Sequence, residues 1–301
     1  MRILGAGLAG CLAGMLNQRF TICEPKRYDE MNKHKAVLRF RSPDIGEAIG
    51  IPFEKIEVYK GIWHNDKSVE LAPRYINLYS RKVSDKVMAR SITNIETTTR
   101  WVAPDDIHDI LLDILNNRID YGCEIDDLYS GDDIKISTLP LFVTAKKLGY
   151  DFSVVNNNKK INVSRFRIPD CDIYQTYYYT DPTVHMYRAT ITKDILIIES
   201  CWEVEEHDIT VAKRSFGLHG VLLETLVHNY EQSNGKISPI DDRNRRELLY
   251  NLTTDHNIYS LGRFATWKNV VLDDVYHDIL TIKKFMLHDK YEARRINNEG
   301  I

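Results

Sequence analysis

Three glycines and one carboxylate near the amino terminus have the types and spacing for binding chemistry. Gly5, Gly7 and Gly10 form a G-x-G-x-x-G pattern with Ala6, Leu8 and Ala9 between them. Gly5 permits a tight turn, Gly7 lets the backbone approach a pyrophosphate with no side chain in the way, and Gly10 lets a helix pack close to a strand. A small-residue helix over Cys11 to Asn17 offers free N–H groups at its amino terminus and a positive dipole end to phosphates. Glu24 ends a second apolar run, Phe20-Thr21-Ile22-Cys23, where a carboxylate would accept hydrogen bonds from adenosine ribose hydroxyls. Together these residues predict dinucleotide binding. The plain alternative is a glycine-rich helix in an ordinary α/β core.

Positioning this cradle takes a strand over Arg2-Ile3-Leu4, a small-residue helix after the glycines and a strand over 20–23. Beyond Glu24, the segment 36–43 alternates apolar and basic residues. Its Arg39 and Arg41 would meet phosphate or carboxylate groups if they lie beside the cofactor, and are otherwise solvated strand residues. Residues 54–104 are poorly periodic, with helices or strands around 82–91 and no chemistry assigned. Pro104-Asp105-Asp106 introduce an amphipathic helix over 107–116, with Ile107, Ile110, Leu111, Ile114 and Leu115 on one face. Strands follow over 118–123 and 133–140. The stretch 152–200, with Tyr177-Tyr178-Tyr179, reads as several antiparallel strands. A strand over 257–262, a turn over 263–268 and a helix from Asp273-Asp274 to about residue 290 complete the chain, with a frayed end.

With 301 residues, the chain can bury a substantial core. Its 40 basic and 43 acidic residues leave a formal charge of −3, so no global basic field argues for nucleic acid. Five scattered cysteines, Cys11, Cys23, Cys123, Cys171 and Cys201, contain no C-x-x-C pair and suggest neither a disulfide framework nor a zinc knuckle. A reducing, cytoplasmic setting fits them. No apolar run reaches the roughly 20 residues of a membrane span. Leu8-Ala9-Gly10-Cys11 mimics a lipoprotein box, but the apolar stretch before it is too short and too rich in glycine for a signal peptide. The ten histidines, His34, His64, His108 and His185 among them, lack metal-ligand spacing. They are read as surface or core residues, and no metal is expected.

Four separated segments resemble the FAD-dependent superfamily of amine oxidases, protoporphyrinogen oxidase and UDP-galactopyranose mutase. The first is the glycine cradle with Glu24. The second, Ile136-Ser137-Thr138-Leu139-Pro140-Leu141, is similar to the strand and turn by which amine-oxidase-like chains return to the FAD domain. In the third, Tyr179-Thr180-Asp181 precedes Tyr187-Arg188, as in the mutase segment that carries a substrate-pocket arginine. The fourth, Gly262-Arg263-Phe264-Ala265-Thr266-Trp267-Lys268 followed by Asp273, resembles the closing flavin motif.

The resemblance implies an α/β fold in which a Rossmann-type FAD domain, residues 1–50, 105–150 and 255–301, is interleaved with an antiparallel-sheet substrate domain, residues 51–104 and 151–254. It implies FAD on Gly5, Gly7, Leu8, Ala9, Gly10, Glu24, Thr138, Arg263 and Asp273. Arg39, Arg41, Tyr187, Arg188, Trp267 and Asn269 would line the substrate pocket, with Arg188 anchoring an anionic group; no catalytic base is named. The chain departs from the mutases at Leu38-Arg39-Phe40-Arg41, where they carry a glycine-rich, histidine-containing segment, and at Asn269, where they place a tyrosine. The expected activity is hydride transfer from a small anionic or nucleotide-linked substrate to flavin N5. The alternatives are a mutase-like, non-redox reaction on a nucleotide-sugar, a flavin-binding protein with a structural or regulatory task, and a viral enzyme that modifies nucleotides or DNA. The last would need a local basic groove.

Overall fold

The computed structural model describes residues 1–31, 34, 37–84, 87, 92, 95–131, 133–152, 159–237 and 240–298. The chain divides into two compact units. The first comprises residues 1–54, 101–155 and 239–301, and the second 55–100 and 156–238. Among the described residues no helix is long and apolar enough to cross a membrane.

In the first unit β1 (Arg2–Leu4), β2 (Thr21–Glu24), β7 (Ile119–Tyr121), β8 (Lys135–Ser137) and β14 (Ile258–Ser260) form a sheet in the order β14-β8-β1-β2-β7. Every pairing is parallel. Successive strands step outward through β2 to β7, then return to the other side of β1 for β8. The crevice at the carboxyl ends of β1 and β8 is therefore the switch point at which open α/β sheets bind ligands.

Helix α1 (Leu8–Leu16) leads from β1 to β2 and buries Cys11, Leu12 and Ala13. Its carboxyl end is closed by a side chain from far along the chain. Arg118 donates to the carbonyls of Gly14, Asn17 and Phe20 at 3.0, 2.7 and 2.6 Å, which satisfies acceptors that a helix end leaves open. The core continues through Phe40, of the short strand β3 (Arg39–Phe40), and Ile45 and Ile49 of α2 (Asp44–Ile49).

The second unit opens with β4 (Glu54–His64), β5 (Lys67–Val69) and α3 (Pro73–Ser84). The stretch without evident periodicity thus contains an eleven-residue strand that buries Ile56, Val58 and Ile62 and a helix that buries Tyr75, Tyr79 and Val83 at four-residue intervals. Much of the element expected around 82–91 lies outside the described residues. Strand β6 (Thr98–Val102) leads back to the first unit, where Arg39 pairs antiparallel with Val102 and Phe40 with Trp101. Helix α4 (Ile107–Leu115) follows, its Leu111, Leu112 and Leu115 buried. Asp106 holds the cap position without a side-chain cap bond. After β7 come α5 (Ile125–Leu128), β8 and α6 (Leu141–Lys147).

Strands β9 (Lys159–Arg167), β10 (Tyr174–Tyr179), β11 (Met186–Thr192) and β12 (Ile195–Ser200), helix α7 (Glu206–Ser215) and strand β13 (Glu224–Lys236) complete the second unit. Its sheet runs β13-β9-β12-β11-β10-β4. The pairings are antiparallel through β10, but β10 runs parallel to β4, so the sheet is mixed. One face packs Phe166, Ala189, Ile191, Leu196 and Ile198 against Val211 and Ala212 of α7. In the first unit α8 (Asp242–His256) precedes β14, and α9 (Leu272–Asn298) runs beyond the expected end near residue 290. Of the last several residues, expected to be frayed, 299–301 lie outside the described residues.

Asp133 carries a pH-dependent part of the first unit's stability. It accepts from Arg2 Nη2 at 2.9 Å, with the buried Lys135 ammonium 3.5 Å away. The Arg2 hydrogen bond, with the nearby positive charge, lowers its carboxyl to about 2 against an opposing burial effect. A depressed folded pKa gives stability that is present above the unfolded value, about 3.9, and is lost as pH falls toward 2. In urea titrations Asp133→Asn is expected to be less stable than the parent at pH 6, with the difference closing between about pH 4 and 2.

Candidate functional site

The glycine turn closes the switch-point crevice at the end of β1. Gly5 sits at φ +97°, and a Cβ there would meet the Thr138 hydroxyl at 2.6 Å. A Cβ on Gly10 would stand 1.9 Å from the Gly5 carbonyl oxygen. Both positions need glycine for the turn to close at all.

Gly7 is different. It caps α1 with φ −67° and ψ 175° and offers no side-chain cap bond, and a Cβ there would meet nothing within 4 Å. The N–H groups of Leu8, Ala9 and Gly10 are those that an α-helix leaves without an intrahelical acceptor. The opening above Gly7 therefore combines space, three backbone donors and a positive helix end.

Glu24 braces the same turn. Its buried carboxylate accepts from Ala6 N–H at 2.7 Å and Lys26 N–H at 3.0 Å through different oxygens. Each oxygen keeps a further lone pair for a ribose hydroxyl.

The Ala6 carbonyl is held from the other side by His108, a residue read from sequence only as a surface or core histidine. His108 is 2% exposed. Its Nε2 lies 3.0 Å from Ala6 O, and its Nδ1 accepts from the His34 N–H at 3.0 Å. This pairing assigns the neutral tautomer with the proton on Nε2. Cys11 Sγ also donates to Ala6 O, at 3.2 Å. Burial, and then the Glu24 charge, push that thiol up to about 12, so it is a packing group and not a nucleophile.

The other expected cofactor residues belong to the same unit. Thr138 donates to Leu4 O at 2.8 Å. A Cβ on Gly262 would stand 3.1 Å from Ala9 Cβ, so the segment leading into Arg263 lies against the start of α1. Arg263 donates to Val270 O at 3.3 Å. Buried Asp273, in the first turn of α9, accepts from Arg41 N–H at 2.7 Å, and the exposed Arg41 guanidinium reaches Asp274 at 3.2 Å.

The expected substrate residues are distributed differently. Arg39, Arg41, Trp267 and Asn269 belong to the first unit; Tyr187 and Arg188 belong to the second. Asn269 is exposed. Trp267 is 3% exposed, with φ +47°, and its ring meets Phe142 edge-on at 5.8 Å.

Arg188 grips Glu199 with Nη2 at 2.7 Å and with Nε, a two-point pairing across strands. Tyr187 donates to the same carboxylate at 3.1 Å. Burial opposes the Arg188 charge, but Glu199 outweighs it and holds the guanidinium well above its ordinary value. Sequence reasoning missed Glu199, whose partner comes from the next strand. It also missed Lys82 of α3, which donates to Asp181 O at 2.8 Å and which burial lowers to about 8. Among the described residues no group of three or more His, Cys, Asp or Glu could hold a metal ion.

No protein-family model matches the chain, and no curated protein sequence matches it. Solved structures do. Reduced UDP-galactopyranose mutase superposes with a TM-score of 0.61 at 14% identity, over 88% of this chain and 88% of that one. The chain shares the mutase fold. An oxidoreductase from Methanosarcina mazei superposes at 0.56 and 9% identity over 94% of this chain and 99% of its own. A flavoprotein/dehydrogenase from Cytophaga hutchinsonii gives 0.51 and 9%, over 93% and 75%. The fold is thus one that a mutase, an oxidoreductase and a flavoprotein/dehydrogenase share.

The bracing of Ala6 can be tested without any ligand. His108→Ala removes its hydrogen bonds to the Ala6 carbonyl, which keeps Cys11 Sγ, and to the His34 N–H, and is expected to cost about 1–3 kcal/mol of folding stability. His108→Gln, which can keep one donor, should cost less. Chemical denaturation measures both.

Proposed function

We propose that this chain is an FAD-dependent enzyme, with the dinucleotide held in the crevice of the first unit. The observation that carries the reading is Gly7. Its backbone angles suit any residue and its Cβ position is empty, so folding gives no reason for glycine there. A pyrophosphate lying on the first turn of α1 does give one. In this reading Leu8, Ala9 and Gly10 donate backbone N–H groups to the phosphates, Glu24 receives the ribose hydroxyls, and Thr138, Arg263 and Asp273 complete the cofactor contacts.

When bound, the flavin supplies a two-electron acceptor or donor at N5. The reaction we favour is oxidation of a small anionic or nucleotide-linked substrate, which makes the chain an oxidoreductase. The protein's part is to orient the substrate and balance its charge, and within the first unit Arg39, Arg41, Trp267 and Asn269 are the residues offered for that task. The 0.61 superposition on the mutase supports a second reading, a non-redox reaction on a nucleotide-sugar. Glu199 occupies the Nε–Nη2 edge of Arg188, which weighs against it, because that edge is not free to clasp a diphosphate.

The absorption spectrum of the purified protein with added FAD tests the cofactor. Glu24→Ala is expected to weaken FAD about 10- to 100-fold, the effect of losing hydrogen bonds to a charged group. Gly7→Ala should also weaken FAD while changing folding stability by no more than about 1 kcal/mol. Absence of any flavin spectrum at saturating FAD would overturn the reading. Anaerobic bleaching by an added substrate marks the oxidoreductase; turnover of a nucleotide-sugar only after prior reduction marks the mutase.

A further inference from the structure

The face of the second unit's sheet turned away from α7 carries three arginines. Side chains alternate along a strand, and Phe166, Ala189 and Ile198 belong to the core on the α7 side. Arg165 and Arg167 of β9 and Arg188 of β11 therefore point to the opposite face. Two of the three are matched. Arg188 is paired with Glu199, and the exposed Arg167 is paired with Asp194 at 2.6 Å and Glu224 at 3.2 Å.

Arg165 is not matched. Its Nε is buried and has no hydrogen-bond partner among the described residues, and no ion pair to it is formed there. Its cross-strand neighbours are Ile197 on β12 and Val227 on β13, which offer no side-chain acceptor. The acids that share this region are already committed, Glu199 to Arg188 and Tyr187, and Asp194 and Glu224 to Arg167.

A buried guanidinium N–H without an acceptor costs free energy, and native structures rarely keep one without a reason. A bound oxyanion would provide it, since the planar guanidinium edge matches carboxylate and phosphate oxygens. We propose that Arg165, and not Arg188, is the anion anchor of this unit, and that it binds a carboxylate or phosphoryl group of the substrate. In that arrangement Glu199 holds Arg188 as a fixed, charge-neutral wall, and Arg165, whose Nε has no acceptor among the described residues, selects the anion. Only the assignment of that anion to a substrate rests on the proposed function; the binding itself does not.

The test is calorimetric titration of the FAD-loaded protein, at low ionic strength, with inorganic phosphate and separately with acetate. Saturable binding of either ion is expected, weakened tenfold or more in Arg165→Gln and partly restored in Arg165→Lys. Arg167→Gln, which removes an exposed and already paired arginine from the same face, should bind within about twofold of the parent, well short of the roughly tenfold that one charged hydrogen bond carries. Tighter phosphate binding assigns a phosphoryl group, and tighter acetate binding a carboxylate. Unchanged binding in Arg165→Gln, or no saturable binding of either ion, overturns the proposal. Thermal melts and the flavin spectrum of each variant separate loss of the anion site from loss of the fold. A flavin spectrum without anion binding sinks this inference alone. Absence of flavin sinks the cofactor reading, and the titration still reports on Arg165.

Discussion

The first unit is organised around the backbone of one residue, Ala6. The N–H of Ala6 is fixed by Glu24 and its carbonyl by His108, while the Gly5 carbonyl passes so near Gly10 that no side chain fits between them. These contacts tie the carboxyl end of β1 to the carboxyl end of β2, to α4 and to the first turn of α1. The turn cannot shift without breaking bonds to three elements at once, so the donors of Leu8, Ala9 and Gly10 are held in place before any ligand arrives. Preorganisation of this kind spares a ligand the cost of ordering the loop.

Arginines do two different kinds of work in the two units. Arg118 spends its donors on three carbonyls at the end of α1, and Arg2 ties β1 to Asp133; both serve the fold. On the sheet of the second unit the same side chain occurs both matched and unmatched. A matched pair such as Arg188 with Glu199 is rigid, and breaking it by removing one partner would leave a half-buried charge alone. An unmatched group such as Arg165 leaves hydrogen-bonding capacity for something outside the chain. The distinction comes from which carboxylates the strand register brings within reach, and not from the residue type.

The cradle was legible in the sequence because all its parts lie within one short stretch. A strand, a glycine turn, a helix, a second strand and a terminal acid follow one another in 24 residues, and each part follows from local steric and hydrogen-bonding rules. The amphipathic helix α4 was legible for the same reason, since its apolar spacing is its own. By contrast β4 and α3 were missed. Ile56, Val58 and Ile62 do alternate, but Gly61 and the surrounding charges blur the pattern, and the strand is stabilised by parallel pairing with β10, more than 100 residues later in the chain.

The sequence by itself thus determined the α/β class, the glycine turn with its acid, and the likeness of fold to the solved mutase, because short-range geometry and residue type suffice for each. Only the tertiary structure decided that His108 braces Ala6, that Arg188 belongs to Glu199, and that the Arg165 Nε finds no acceptor among the described residues. Those facts depend on strand register and helix packing between segments remote in sequence. Register is a collective outcome of the whole sheet, in which a one-residue slip turns every side chain to the other face, and no local pattern around Arg165 or Arg188 encodes it.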